Sequence, residues 1–257
     1  MGCLGRTRIL VVGWLCILVI TTSGCGTLLR ERMVRNSGIQ RDDYGLPLII
    51  YRSSHLLTNR MVVMLSGDGG WLDFNDSLAV AFSKAGYHVI GFNSRTYFWH
   101  QKTPDQTAAD FVLLLKDYCR RWRIRKIILN GYSFGADVLP FIYTRLPDEL
   151  QGKVEVLELL SPFLSTDFKV YFSDLLNMGG DNRTYKVKEE VAKIKAPIVC
   201  FYGEREEPKP LGDIRKRNFL LKLIPGDHHY NGGYHRIISA VTQKALSRDM
   251  NNLASAK

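Results

Sequence analysis

The feature that most constrains this chain is Gly131-Tyr132-Ser133-Phe134-Gly135. It stands between the run Lys126-Ile127-Ile128-Leu129-Asn130 and an apolar helical stretch reaching to about Leu146. A Gly-x-Ser-x-Gly pattern alone is common by chance. Placed between a strand and a helix it is far more specific, because a serine there sits on a tight turn with its hydroxyl held above a sheet. The glycines let neighbouring backbone pass without side-chain clashes. The competing reading is a merely structural turn. Pro140, inside the helix that follows, predicts a kink or an early break.

The surrounding pattern agrees with a parallel sheet. Leu48–Tyr51 and Met61–Leu65 are short apolar runs divided by a polar turn. Leu78, Ala81, Phe82 and Ala85 recur at helical spacing up to Gly86, and His88–Phe92 forms the next strand. Thr103 caps a helix that opens on Pro104 and carries Phe111, Leu114, Leu115, Tyr118 and Trp122 on one face. Val154–Leu160, Ile198–Tyr202 and Phe219–Ile224 are further strands, and a last helix is expected from Tyr234 to Ser247. Residues 161–195 are less regular and are expected to cover the edge of the sheet. Alternating strands and helices imply an α/β fold of the α/β-hydrolase kind, a mostly parallel central sheet with helices on both faces.

In such a fold the acid and the histidine follow the serine in chain order. The acid belongs just past the strand Ile198–Tyr202, in Gly203-Glu204-Arg205-Glu206-Glu207. A position three residues beyond the glycine favours Glu206, with Glu204 and Glu207 as alternatives. The histidine belongs after the last strand, in Gly226-Asp227-His228-His229, where His228 is favoured over His229. His228 would then take the Ser133 proton and return it to the leaving group, while Glu206 fixes its tautomer. An oxyanion needs backbone donors. Phe134 N–H is one candidate. The other lies in Ser66-Gly67-Asp68-Gly69-Gly70-Trp71, where Asp68 N–H is chosen with Gly69 in reserve; a flexible glycine-rich turn is the bland reading. No Gly-Lys-Ser/Thr follows to make that loop a phosphate site. No cofactor is implied, and no histidine–carboxylate set has the spacing of a zinc site.

The N-terminus predicts export. Arg6 and Arg8 precede the apolar run Ile9–Ile20, which is short for a bilayer span and suits a secretory signal. Ser23-Gly24-Cys25 resembles a bacterial lipobox, with Thr22 where leucine is usual, and makes Cys25 the expected lipidated residue. A cleaved soluble form or an uncleaved anchor are the alternatives. The expected organisation is therefore a signal over 1–25, a polar tether over 26–45 and a hydrolase domain over 46–257. Of five cysteines, only Cys119 and Cys200 fall in the folded part, and two separate buried thiols are expected rather than a disulfide. The net charge of +10 favours an anionic surface. For an exported, anchored chain that partner is phospholipid headgroups rather than nucleic acid, or the charge is simply a solvated face.

Several stretches together resemble one family, the bacterial virulence protein VirJ group with the related AcvB proteins. They are Ser66–Trp71, Tyr97-Phe98-Trp99 with Lys102-Thr103-Pro104, Gly131–Pro140, Tyr202-Gly203-Glu204 and Pro225–His229. The resemblance implies an exported α/β hydrolase of a Gram-negative bacterium, periplasmic and membrane-anchored. AcvB-type members are associated with hydrolysis of lysyl-phosphatidylglycerol, an aminoacylated phospholipid, so the resemblance implies cleavage of that kind of ester. Asp68 and Asp137 flank the catalytic motifs as candidate carboxylates for the lysyl amino groups, or serve as structural caps. Trp71 and Tyr97 are further substrate-binding candidates, with a packed aromatic cluster as the alternative for Tyr97–Trp99. Two other readings remain open: a general lipase or carboxylesterase, and a hydrolase-like accessory protein that binds secretion-system proteins.

Overall fold

Strands form where short aliphatic runs meet turn residues, and helices where apolar residues recur every three to four positions. A computed structural model of the protein describes residues 39–41, 44–54, 59–171, 183–230 and 233–239. The elements in chain order are β1 (Ile39–Arg41), β2 (Pro47–Tyr51), β3 (Arg60–Leu65), α1 (Asp73–Lys84), β4 (His88–Phe92), α2 (Ser94–Tyr97) and α3 (Pro104–Arg121). There follow β5 (Lys126–Tyr132), α4 (Phe134–Thr144), α5 (Asp148–Lys153), β6 (Val154–Leu160), β7 (Ser165–Thr166), β8 (Tyr185–Lys186), α6 (Val187–Lys193), β9 (Ile198–Gly203) and β10 (Phe219–Ile224). Residues 234–239 are helical. The expected signal, the tether and Cys25 lie outside the described residues, as does the final helix beyond residue 239.

The main sheet has the order β1-β2-β4-β3-β5-β6-β9-β10. From β4 across to β10 every neighbouring pair is parallel, while β2 runs antiparallel to β4. The chain steps from β3 outward to β4 and then returns past it to β5. This reversal leaves the ends of β3 and β5 side by side, with their following loops departing toward opposite faces. In open α/β sheets such a point is where ligands bind, outside the carboxyl ends of the strands. The α/β-hydrolase architecture expected from the sequence is the one observed.

Strands covered on both faces need apolar side chains throughout. One face of the sheet, with Val63, Leu65, Ile127, Leu129, Leu157 and Leu159, joins Phe111 and Leu114 of α3 and Val138 and Leu139 of α4 in one buried core. The exceptions on the opposite face are paired: Asn130 Nδ2 donates to Glu158 at 2.9 Å, and burial pushes the Glu158 carboxyl up to about 8. Helix α3 starts as its sequence dictates. Thr103 Oγ1 accepts from Gln106 N–H while the Gln106 side chain accepts from Thr103 N–H, both at 3.1 Å, with Pro104 in the first turn.

Two local expectations change. Helix α4 runs through Pro140 to Thr144 without breaking there. Pro140 forgoes the bond to the Ala136 carbonyl, but every residue from Phe134 to Tyr143 is buried, so packing on all sides retains the helix. That same all-round burial explains where 161–195 goes. Its described part lies over α4 rather than at the sheet's edge: β7 and α6 pack on α4, and the Phe168 and Tyr185 rings each lie 5.7 Å from Phe141. Lys102 N–H donates to Phe168 O at 2.8 Å and Val170 N–H to Phe98 O at 2.9 Å, which ties this cover to the loop after α2. Cys119 and Cys200 are separate free thiols. Among the described residues no helix is long and apolar enough to cross a membrane.

The opposite face of the sheet depends on one glycine. A Cβ on Gly91 of β4 would stand 2.5–2.9 Å from three ring carbons of buried Trp71. Gly91→Ala should therefore displace the indole and cost about 1–3 kcal/mol of stability, typical of overpacking. Urea unfolding followed by tryptophan fluorescence measures this; wild-type stability would show that the indole does not occupy that space.

Candidate active site

Ser133 is where β5 ends and α4 begins. Its backbone sits at φ 52°, ψ −123°, a positive-φ conformation that an L-residue adopts only when its surroundings enforce it. The surroundings are visible. Ser133 N–H donates to Leu160 O at 2.8 Å, and its carbonyl accepts from Ala136 N–H at 2.7 Å and Asp137 N–H at 3.1 Å. The two glycines admit the crossing. A Cβ on Gly131 would come 2.5 Å from Gly135 O, and one on Gly135 would come 2.5 Å from Leu65 O and 2.6 Å from Ser66 O. Strand, helix and the preceding loop thus meet at backbone-to-backbone distance.

Two further loops converge on this turn. His228 Nε2 lies 3.1 Å from Ser133 Oγ, and His228 Nδ1 lies 2.8 Å from Glu206 Oε1. Glu206 follows β9 in a turn closed by its own N–H to Gly203 O at 3.1 Å. Gly203 also lets the histidine turn approach, since a Cβ there would strike the Asp227 carbonyl. The other carboxylate oxygen, Oε2, accepts from Ser161 Oγ at 2.7 Å and from Gly203 N–H at 3.0 Å. Burial pushes the Glu206 carboxyl up, but the bonds from His228, Ser161 and Gly203 together outweigh it and hold the group below its ordinary value. Glu204 and Glu207 are exposed, and Glu207 pairs with Lys209. His229 is exposed and its Nδ1 lies 3.8 Å from Asp227. Of the alternatives left open in sequence, the geometry brings together Ser133, His228 and Glu206.

The loop Ser66–Trp71 stands against the serine from the β3 side. A Cβ on Gly67 would be 3.4 Å from Ser133 Cβ. The loop is held by Ser94 N–H donating to Ser66 Oγ at 3.0 Å and by Gly70 N–H donating to Gly67 O at 3.1 Å. Gly69, the reserve oxyanion donor, directs its N–H to the Asp68 carboxylate at 2.8 Å. Phe134 is the first residue of α4, where an N–H has no acceptor within the helix. Phe134 thus follows Ser133 at the start of α4, and Asp68 belongs to the loop whose Gly67 lies against Ser133.

The three substrate-binding candidates are all buried. Asp137 is buried and accepts from Phe163 N–H at 2.6 Å. Burial raises its carboxyl well above the ordinary value, with the Phe163 bond opposing and the nearby Asp68 charge adding, and the bond to Phe163 makes it an internal anchor. Trp71 is buried, with its indole over Gly91 and Nε1 donating to Tyr51 Oη at 3.0 Å. Tyr97 is buried with its ring edge-on to Phe92 and Phe98, and its hydroxyl donates to Asp110 at 2.5 Å. The apolar rings of Trp71 and Tyr97 favour burial, and Asp137 is enclosed by its place on α4, which is buried on all sides. Only Trp99 of that cluster is exposed.

Other residues take their place around the imidazole. The Tyr132 ring lies 5.3 Å and the half-exposed Phe163 ring 5.9 Å from that of His228, and Phe74 packs on Tyr132 at 4.6 Å. Sequence reasoning passed over these residues and Ser161. The available signal was position: Ser161 and Phe163 directly follow β6, at the carboxyl end where ligands meet a parallel sheet. Among the described residues no group of His, Cys, Asp and Glu is placed to hold a metal ion.

Solved structures share the fold at low sequence identity. Est1E from Butyrivibrio proteoclasticus is 15% identical with a TM-score of 0.57, covering 82% of this chain and 98% of its own. The proline iminopeptidase of Mycobacterium smegmatis is 12% identical with a TM-score of 0.59, again covering 82% and 98%. The esterase domain of a Rhodothermus marinus protein is 10% identical with a TM-score of 0.55, covering 81% and 95%. No curated protein matches the sequence significantly. The family model described as bacterial virulence protein (VirJ) matches residues 59–249, most of the chain, and this protein belongs to that family.

Proposed function

We propose that the protein is a serine ester hydrolase acting through Ser133, His228 and Glu206. The observation that carries this reading is the continuous chain from Glu206 Oε1 through His228 to Ser133 Oγ, at 2.8 and 3.1 Å. In the proposed reaction His228 Nε2 accepts the Ser133 proton as Oγ bonds to the ester carbonyl carbon. The charge that develops on the carbonyl oxygen is met by Phe134 N–H and Asp68 N–H. The imidazolium is stabilised by ionised Glu206 and protonates the departing alkoxide. Water, deprotonated by His228, then releases the acid and restores the serine.

Within that reading we infer an aminoacylated phospholipid such as lysyl-phosphatidylglycerol as the substrate. Support comes from the VirJ family and from one carboxylate beside the nucleophile loop. Asp137 is buried and already bonded to Phe163 N–H, which leaves Asp68 as the candidate carboxylate for a lysyl ammonium group. Export through the 1–25 signal, a lipid anchor on Cys25 and a periplasmic membrane address are part of the same proposal. They place the enzyme at the surface that holds its substrate.

Ser133→Ala removes one hydroxyl and should cut ester hydrolysis roughly a thousandfold or more while the protein stays folded, as triad members act as a unit. Comparable turnover in the mutant would remove Ser133 from the mechanism. Glu206→Gln should impair kcat far more than Glu204→Gln or Glu207→Gln in the same assay. If Glu204→Gln is the more damaging, Glu206 is not the orienting acid. For the substrate, purified protein is offered lysyl-phosphatidylglycerol and a short-chain nitrophenyl ester side by side. Lysine release is expected, with Asp68→Asn slowing it more than it slows the neutral ester. Brisk cleavage of the nitrophenyl ester with no lysine released would instead establish a general esterase.

A further inference from the structure

Behind Glu206 lies a second layer of hydroxyls that the triad alone does not explain. Ser161 and Tyr230 are both fully buried. Their side-chain oxygens lie 2.5 Å apart, Ser161 Oγ lies 2.7 Å from Glu206 Oε2, and Tyr230 Oη lies 3.2 Å from Phe201 O. Both residues hold positive φ, 52° and 57° respectively, although neither is glycine. Such backbone persists only where the surroundings impose it.

Hydrogen counting orders the network. An ionised carboxylate accepts only, so the single Ser161 hydrogen goes to Glu206. The Tyr230 hydroxyl hydrogen is then shared between Ser161 Oγ and Phe201 O, the two acceptors within its reach. We propose that Ser161, backed by Tyr230, is a positioning residue that holds Glu206 Oε2 so that Oε1 faces His228 throughout the reaction. This inference rests on the proposed triad. The turn that presents Ser161 is fixed at three successive residues. Ser161 N–H donates to Phe201 O at 2.8 Å, Tyr202 Oη donates to Pro162 O at 2.8 Å, and Phe163 N–H donates to Asp137 at 2.6 Å. One tripeptide thereby links the acid, the nucleophile helix α4 through Asp137, and the imidazole through the Phe163 ring.

The network also shares the carboxylate's charge. Removing the Ser161 donor leaves more negative charge for the imidazolium, which favours protonated His228. Because the base must be neutral to act, the ascending limb of the kcat/KM profile then moves to higher pH. The other titratable or charged groups around the chain are Tyr132 against the imidazole, Cys200, Asp68, Asp227 beside His229, and Lys209, which donates to the Glu206 carbonyl. None of them is altered by the substitutions used as a test.

The test measures pH profiles of nitrophenyl-ester hydrolysis for wild type, Ser161→Ala, Tyr230→Phe, the double variant and Ser133→Ala, with thermal unfolding of each. Ser161→Ala should lower kcat about tenfold to a hundredfold, the scale of a misplaced catalytic group, with KM within about twofold. Its ascending limb should move upward. Tyr230→Phe should act a few-fold in the same direction, and the double variant should be no worse than Ser161→Ala, because Tyr230 acts through Ser161. Wild-type kcat in Ser161→Ala, an unmoved limb, or additive losses would each overturn the inference. Should Ser161→Ala fail to fold, Tyr230→Phe decides alone: an unmoved limb refutes the proposal. If Ser133→Ala is inactive while Ser161→Ala is normal, only this inference fails. If Ser133→Ala remains active, the triad reading fails first.

Discussion

The structure depends on one close crossing. At the end of β5 the chain turns into α4 through Ser133, and the backbone of Leu65 and Ser66 passes directly beneath. A single Cβ at Gly131 or Gly135 would place a carbon about 2.5 Å from a carbonyl oxygen, well inside contact distance. The hydrogen bonds from Ser133 N–H to Leu160 and from Ala136 and Asp137 N–H to the Ser133 carbonyl hold the strained φ in place. Once that turn is fixed, the remaining site follows from topology. The switch between β3 and β5 sets the Ser66–Trp71 loop on one side of the serine, and β6, β9 and β10 deliver Ser161, Glu206 and His228 from the other.

The electrostatics are arranged by the same economy of short contacts. Two carboxylates near the serine are driven in opposite directions. Glu206 is partly buried but accepts three hydrogen bonds, which hold its carboxyl below the ordinary value, whereas Asp137 is fully enclosed with one backbone donor and its carboxyl is pushed well above it. The carboxylate held low faces the imidazole, where a positive charge must be stabilised, and the other fastens a loop. Desolvation pushes both upward; the deeper burial of Asp137 and the larger number of donors to Glu206 separate them.

Much of this was legible in the sequence because it rests on local constraints. Gly-x-Ser-x-Gly between a strand and a helix, Thr103-Pro104 at a helix start, and Gly203 and Gly226 opening the acid and histidine turns are each short-range requirements with a visible residue signature. Tertiary competition was not legible. Trp71 and Tyr97 follow strands on the ligand side of the sheet, yet their rings gain more by burial, over Gly91 and between Phe92 and Phe98. Pro140 sits in a helix that packing on every side sustains. Ser161 and Tyr230 carry no motif at all. Their role is visible only when β6, β9 and the histidine turn are brought to one place.

The central claim is that the Ser133 hydroxyl is a nucleophile activated by His228. The most direct measurement is mass-spectrometric mapping of the adduct formed with a fluorophosphonate, which reacts with activated serines. The account predicts one adduct, on the peptide containing Ser133, and its loss in folded His228→Ala but not in His229→Ala. An adduct on a different residue, or undiminished Ser133 labelling in His228→Ala, would contradict it.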